Sequence, residues 1–322
     1  MKSIEKGKDS IKERKKFCLG NKSKTQLSLQ SMVVPGVIYM FIFSYIPLFG
    51  IIIAFKDYDI VTGILNSPWV GFKYFKEFLT SPNFGMVMRN TLLISTLKLV
   101  VGFPFPIIFA LMLNEIKCMG ARKAFQTITY LPHFMSWVVI SGMVMSLLSI
   151  DGGQVNEALM KLGVIKEPVN WISTPKYFLP ILIGTGIWKE FGFCAIIYIA
   201  AISGVNPELY EACSIDGASR LKQMLVVTLP AIIPQIAITL IMKLASILNA
   251  GFSDILLLTN EGQNTIMRNV SDVIETYVYR MGLKSQRYSY ATAVGLFKSV
   301  VSITMLVLSN KLSAKLTDTT LW

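Results

Sequence analysis

Five ionisable side chains stand inside long apolar runs of this sequence: Lys98, Lys189, Glu190, Lys243 and Lys298. A charge in such a setting is costly and faces a water-filled cavity or an opposite charge. Lys98, Lys189 and Lys298 fall near the middle of their runs, whereas Lys243 lies near enough to an end for its ammonium to reach water. Lys189 and Glu190 are adjacent, so on a helix they point about 100° apart and need separate partners. Interhelical ion pairs and a hydrated path are both open to these groups. His133 follows Pro132 and reads as a helix-packing residue rather than a proton relay; as the one imidazole it excludes a His-rich metal site. Cys18, Cys118, Cys194 and Cys213 fit no CxxC pattern or compact disulfide framework and read as free thiols. The 16 methionines read as core or lipid-facing filler rather than thioether ligands. No paired carboxylates or His motif lies at helical spacing in a run, which argues against a membrane-embedded hydrolase. No GxxxxGK[ST] phosphate loop is present either. No catalytic residue and no metal ligand is assigned.

The elements that hold these side chains follow from composition. Of 322 residues, 53% are hydrophobic and 16% charged, and the mean hydropathy is +0.55. A soluble domain carries about 25% charged residues, so this chain could not cover a soluble surface. Spans of about 20–25 apolar residues fit at six places: about 31–55, 88–113, 125–150, 178–202, 226–248 and 289–310. Gly102, Pro104 and Pro106 should kink the second, and Asp151-Gly-Gly should end the third. Trp69-Val-Gly-Phe-Lys-Tyr-Phe reads as an aromatic interfacial element, and Val155 to Leu162 as a short amphipathic piece. The expected organisation is therefore a basic tail (1–30), a transmembrane domain (31–310) and a short C-terminal tail (311–322).

Charge gives an orientation. The net charge is +12, and nine of the cations fall in the first 24 residues, ahead of an apolar run. With the N-terminus inside, the inner segments hold 16 Lys plus Arg against ten in the longer outer segments 56–87, 151–177 and 249–288. That bias favours both termini in the cytoplasm of a multi-pass protein of the cell (inner) membrane. Nucleic-acid binding would want basic residues interleaved with aromatics, and the tail has only Phe17.

One polar insert, 203–225, separates the fourth and fifth spans. Asn206-Pro207-Glu208 is a helix start, with Asn as cap, Pro in the first turn and an acid near the positive end of the helix. Leu209, Ala212 and Ile215, three apart, make an apolar stripe. Asp216-Gly217 breaks the helix, and a second short helix follows with Leu221, Met224 and Leu225 on one side. A helix–turn–helix projecting from a bundle is shaped to dock in a groove of another protein; the alternative is an ordinary amphipathic interfacial link.

The run Glu211-Ala-Cys-Ser-Ile-Asp-Gly-Ala218, followed by Val227-Thr-Leu-Pro230, resembles the EAA motif of ABC importer permeases, with Cys213 replacing the second Ala and Val227 an Ile. Weaker likenesses to carbohydrate permeases of the lipoprotein-associated polysaccharide type lie at Tyr130-Leu-Pro-His-Phe-Met-Ser-Trp, Ile187-Trp-Lys-Glu-Phe-Gly, Asn249-Ala-Gly-Phe and Tyr277-Val-Tyr-Arg. The resemblance implies an all-α, polytopic fold of MetI-like or maltose-permease-like type: six transmembrane helices with a cytoplasmic coupling helix. It implies a non-catalytic translocation subunit moving an oligosaccharide or polysaccharide fragment. The partners implied are a cytoplasmic ABC ATPase dimer that binds ATP and Mg, a second and different permease chain, and an extracellular lipid-anchored or periplasmic sugar-binding protein. No cofactor belongs to this chain. By the same resemblance Glu211 is the charged contact to the ATPase and Gly217 the pivot of the turn, with Asp216 beside it. Tyr210, Ala212, Ile215 and Ala218 are packing contacts. Carbohydrate paths favour aromatic faces with hydrogen-bonding groups, which nominates Trp188, Lys189, Glu190, Phe191, Tyr198 and Asn249. Several unpaired cations in the spans would further suit an anionic, uronate-bearing saccharide. The alternatives are an importer for a peptide or another non-sugar solute, and an ion-coupled secondary transporter.

Overall fold

The computed structural model describes residues 30–260 and 264–317. The basic tail, including Cys18, lies almost wholly outside these residues. Among the described residues the regular secondary structure is helical apart from one isolated bridge between Lys56 and Trp69, with turns and irregular loops between the helices. Five helices among the described residues are long and apolar enough to cross a membrane: α1 (Gln30–Phe55), α3 (Phe84–Asn114), α7 (Pro175–Ser203), α9 (Arg220–Ala245) and α12 (Tyr288–Thr317, apolar over Tyr288–Lys311). The shorter helices used below are α2 (Lys73–Leu79), α4 (Met119–Phe134), α5 (Trp137–Leu147), α6 (Gln154–Lys161), α8 (Pro207–Ile215), α10 (Ser253–Leu258) and α11 (Ile274–Tyr279).

The third expected span is where the structure departs most from the sequence reading. Residues 125–150 do not form one rod; α4 and α5 meet at 99°, and the pair makes a sixth crossing only if counted together. The cause is local. Pro132 draws the end of α4 into a tight 3-10 turn, and Ser136 starts α5 anew by accepting a hydrogen bond from the Val139 amide (3.3 Å). The fifth span also begins earlier than expected. Helix runs without a stop from Arg220 through one wide turn at Met224–Thr228 to Ala245, so the second half of the insert belongs to the span itself. The expected kink in the second span is a single turn at Phe103, where the amide still reaches the Leu99 carbonyl (3.0 Å).

Chain alternation puts the segments 56–83, 148–174, 246–260 and 264–287 at one end of the bundle, and 115–118 with α8 at the other. Contacts agree: Arg287 meets Glu77 (2.5 Å) and Asn264 meets Ser173 (3.3 Å) at the first end, whereas Arg220 approaches Glu115 (3.7 Å) at the second. The interior is divided likewise. A cluster around Phe78, Tyr277 and Tyr290 fills the space between α2, α11 and α12. A second cluster joins α3 and α7 to α10 through Ile94, Leu182 and Ile255, and a third, around Ala110, Ala195 and Ile232, packs α3, α7 and α9 towards the α8 end. Helix α1 stays on the periphery, with almost its whole apolar surface exposed; Ala54 near its C-terminus is its buried point.

Candidate functional site

Two regions carry the residues that the sequence singles out. The first is the α8 hairpin. Asn206 caps α8 by accepting from the Glu208 amide (3.1 Å), and Pro207 occupies the first turn, where no amide is needed. The helix stops in a Schellman motif: the Ala218 amide reaches the Cys213 carbonyl (3.0 Å) and the Gly217 amide the Ser214 carbonyl (3.1 Å). Gly217 holds φ +72°, a left-handed value that costs other residues about 1–2 kcal/mol. Gln223 then ties α9 back to α8 by donating to the Ser214 hydroxyl (2.9 Å) and the Ala218 carbonyl (3.2 Å). The seven residues singled out here divide into two groups. Glu211, Ala212, Ile215, Asp216 and Gly217 face solvent, and Ile215 is 87% exposed. Tyr210 and Ala218 turn inward; the Tyr210 hydroxyl meets that of buried Thr228 (2.9 Å), a direct tie between α8 and α9.

The second region is a cavity of about 940 Å³ between α3, α7, α9 and the segment before α10. Of the six residues nominated for a path, Glu190, Phe191, Tyr198 and Asn249 line it. Tyr198 is buried, and its hydroxyl meets Thr239 (2.8 Å), joining α7 to α9. Phe191 packs edge-on against Phe109. Trp188 is 43% exposed and is absent from the cavity wall.

Lys189 is not in the wall either. Its ammonium is buried and donates to the carbonyls of His133 (2.7 Å), Met135 (2.8 Å) and Pro132 (3.3 Å), with the Trp137 ring 5.6 Å away. The carbonyls of His133 and Met135 are acceptors that the break between α4 and α5 leaves without backbone donors among the described residues, whereas that of Pro132 also accepts from the Met135 amide (3.2 Å), and a cation reaches all three at once. Lys189 thus holds the bend in place. Its neighbour Glu190 has a different main partner, His133 Nδ1 (2.9 Å), although the Lys189 ammonium also comes within 3.9 Å. The His133 ring lies flat on Phe193 at 3.7 Å, which makes it both a packing residue and the partner of a cavity carboxylate.

Two more of the cations in the spans, Lys98 and Lys298, are held too. Lys98 pairs with Asp254 and donates to the Ala250 carbonyl (2.6 Å), clamping α3 to the start of α10. Gly251 permits this, at φ +108°, because a Cβ there would collide with both the carboxylate and the ammonium. Lys298 pairs with Glu275 (2.7 Å) between α12 and α11. Within the cavity wall, Lys98 and Lys243 are matched by Asp254 and Glu190, so its formal charge balances. Lys98, Lys189 and Lys298 therefore are not the unpaired cations that would argue for an anionic solute. Sequence reasoning had no access to Asp254 or His133 as partners; their one advance signal was that Lys98 and Glu190 lack an oppositely charged neighbour a turn away.

Comparison with known proteins bears on both regions. A family described as the binding-protein-dependent transport system inner membrane component matches residues 102–318. The polygalacturonan/rhamnogalacturonan transport system permease protein YteP of Bacillus subtilis (strain 168) is 43% identical over 305 residues, 95% of this chain and 93% of that protein. Protein LplB of the same strain is 41% identical, over 89% of this chain and 88% of its own length. Among solved structures, a chain of a bacterial ABC transporter involved in the import of the acidic polysaccharide alginate superposes with TM-score 0.82 at 41% identity. That match covers 93% of this chain and 99% of that one. A second structure of a bacterial alginate transporter, in complex with an alginate pentasaccharide-bound periplasmic protein, matches with the same TM-score over 92% of this chain and 98% of that one.

Proposed function

This chain belongs to the binding-protein-dependent transport system inner membrane components, and from that premise we propose that it carries a saccharide through the membrane under the drive of a separate ATPase. It is a permease of an ABC importer with the MetI-like helical fold. The relatives' names support the saccharide reading over a peptide importer or an ion-coupled secondary transporter. The cargo proposed is an oligosaccharide or polysaccharide fragment, delivered by an extracellular or periplasmic binding protein. A second, different permease chain would close the open side of the cavity. The α8 end is placed in the cytoplasm, as are both termini, from the distribution of Lys and Arg. ATP and Mg would bind to the partner, and this chain performs no hydrolysis.

The observation that carries this reading is the α8 hairpin: a rigidly capped helix whose outer face presents Glu211, Ala212 and Ile215 to solvent. A surface built so firmly and left uncovered fits a docking element. ATPase closure acting on α8 would pass through the Tyr210–Thr228 contact to α9, and from α9 through Thr239–Tyr198 to α7, along the cavity wall. Glu190, Phe191, Tyr198 and Asn249 would then meet the saccharide, whereas Lys189 and Trp188 would not touch it.

The test is a pair of substitutions on the exposed face, Glu211→Lys and Ile215→Asp. Each should leave the permease folded and inserted while reducing ATPase co-purification and saccharide uptake at least about tenfold, the effect of losing about 1.4 kcal/mol at an interface. Full uptake with full ATPase association in both variants would overturn the reading.

A further inference from the structure

His133 and Glu190 meet at the wall of the large cavity, and their geometry does more than pack two helices. His133 stands on the tight turn Leu131–Phe134, while Glu190 and Phe193 lie three residues apart on one face of α7. The imidazole bridges that face. It lies flat on Phe193 at 3.7 Å, with Phe134 edge-on at 5.6 Å, and its Nδ1 reaches Glu190 Oε2 at 2.9 Å. Gly192 permits so close an approach of α7 to α4, because a Cβ there would collide with the Thr129 carbonyl. The two carboxylate oxygens of Glu190 are therefore unlike. Oε2 is fixed by the imidazole. Oε1 accepts no hydrogen bond among the described residues, since the Lys189 ammonium stands 3.9 Å away and directs its donors at three carbonyls.

A tie made only for packing would bury both partners, and a phenyl ring on Phe193 would serve it. Here the Glu190 side chain is 41% exposed and lines the cavity together with Phe193 and Trp137. A carboxylate accepts hydrogen bonds and donates none, so its open oxygen takes a hydroxyl or N–H donor and repels another carboxylate. Aromatic side chains in the same wall suit the apolar face of a sugar ring. We infer that Glu190 Oε1 accepts a ring hydroxyl of the passing saccharide, and that His133 is the positioning residue that holds the carboxylate for it. The inference rests on the saccharide reading above and adds to it which part of the sugar is met here: a hydroxyl edge and not an acidic group.

The experiment uses the permease–ATPase complex in proteoliposomes, without the binding protein so that the cavity itself is titrated. Trigalacturonate and maltotriose serve as acidic and neutral probes. His133 is the one histidine of this chain, so isotope-labelled histidine read by solid-state NMR reports on it; its signal is the one missing from both His133→Phe and His133→Asn. In the parent, Nδ1 should show a hydrogen-bonded N–H, and saturation with a probe that binds should shift it. His133→Phe keeps a ring on Phe193 but loses the donor, and should weaken probe binding about tenfold, the effect of losing one charge-assisted hydrogen bond. His133→Asn places an amide where Nδ1 stood and should recover most of that loss. ATPase co-purification should be the same in all three, which separates loss of a cargo contact from loss of the fold. The NMR shift and His133→Asn keep the test readable if His133→Phe does not fold. Probe binding by His133→Phe equal to the parent's, a signal that no bound probe shifts, or His133→Asn binding no better than His133→Phe would each overturn the inference. A parent complex that binds neither probe would sink the saccharide reading and the inference with it, whereas binding that ignores His133 would sink the inference alone.

Discussion

The two ends of the bundle are built on opposite plans. At the end away from α8, loops far apart in sequence are bound to one another through buried polar groups. Asn90 on α3 donates to the carbonyls of Asn269 (3.0 Å) and Asp272 (3.2 Å), and the Ile274 amide donates to Thr91 (3.0 Å). The Tyr58 amide reaches Ser289 (2.9 Å), and Asp272, 3% exposed, engages Arg280. At the α8 end the hairpin is stiffened mainly from within, by its own cap, its Schellman stop and Gln223. Its ties to the rest of the bundle are Tyr210–Thr228 and the exposed, loose Arg220–Glu115 approach. One end is finished by its own chain; the other is rigid but uncovered. The difference teaches that order alone does not mark a partner site. Order combined with an unmatched apolar face does.

Substitutions can break this contrast or sharpen it. The largest loss of stability should come from Asp272→Leu, which leaves Arg280 charged and partly buried without its carboxylate, at a cost of about 4 kcal/mol. The expected readout is a marked fall in the apparent unfolding temperature of the solubilised permease. A shift no larger than that of Ile215→Asp would show that the far end is not held by its ion pairs. Next comes Lys189→Met, which keeps the length of the side chain but strips the carbonyls of His133 and Met135 of the ammonium donor and leaves Pro132 with the Met135 amide alone, at about 3 kcal/mol. It should lower the unfolding temperature and increase proteolysis near the bend, while Lys189→Arg restores part of both. If Lys189→Met changed saccharide affinity without changing stability, Lys189 would belong to the path after all.

The same contrast explains what could be read in advance. Every device of α8 is local: Asn206, Pro207 and Gly217 act within a turn of themselves, so the hairpin was legible residue by residue. The far end and the cavity are made by long-range pairs. Lys98 meets Asp254, 156 positions away, and His133 meets Glu190, 57 away, and no periodicity connects them. The break between α4 and α5 is an intermediate case. Pro132 and Ser136 are signals for a stop and a restart, but the apolar run through 125–150 hid them, because hydropathy records the composition of a span and not its continuity. The division of α8 into an outer face and an inward Tyr210 also needed the packed partner, Thr228, to be known.

The smallest effect expected at the far end is a dependence on pH, and it comes from Asp57 and Tyr74. The Tyr74 hydroxyl donates to the Asp57 carboxylate, and Lys73 sits 3.3 Å from it. That hydrogen bond, aided by Lys73 and opposed by partial burial, holds the Asp57 pKa below its ordinary 3.8. Burial, and then the same hydrogen bond, pushes Tyr74 from 10.0 up to about 12. The signs follow from linkage. Asp57 is easier to ionise when folded, so its contribution is complete above pH 3.8 and is lost as pH falls through the lower folded value. Tyr74 is harder to ionise when folded, so its contribution is complete below pH 10.0 and is lost as pH rises through about 12. The pair should therefore hold the α1–α2 connection to α12 undiminished between these limits, with a shallow loss on either side. Asp57→Asn should flatten the acid limb of a stability–pH curve and leave the Tyr74→Phe variant little further to lose there. If Asp57→Asn left the acid limb as steep as before, the tie between Asp57 and Tyr74 would hold nothing.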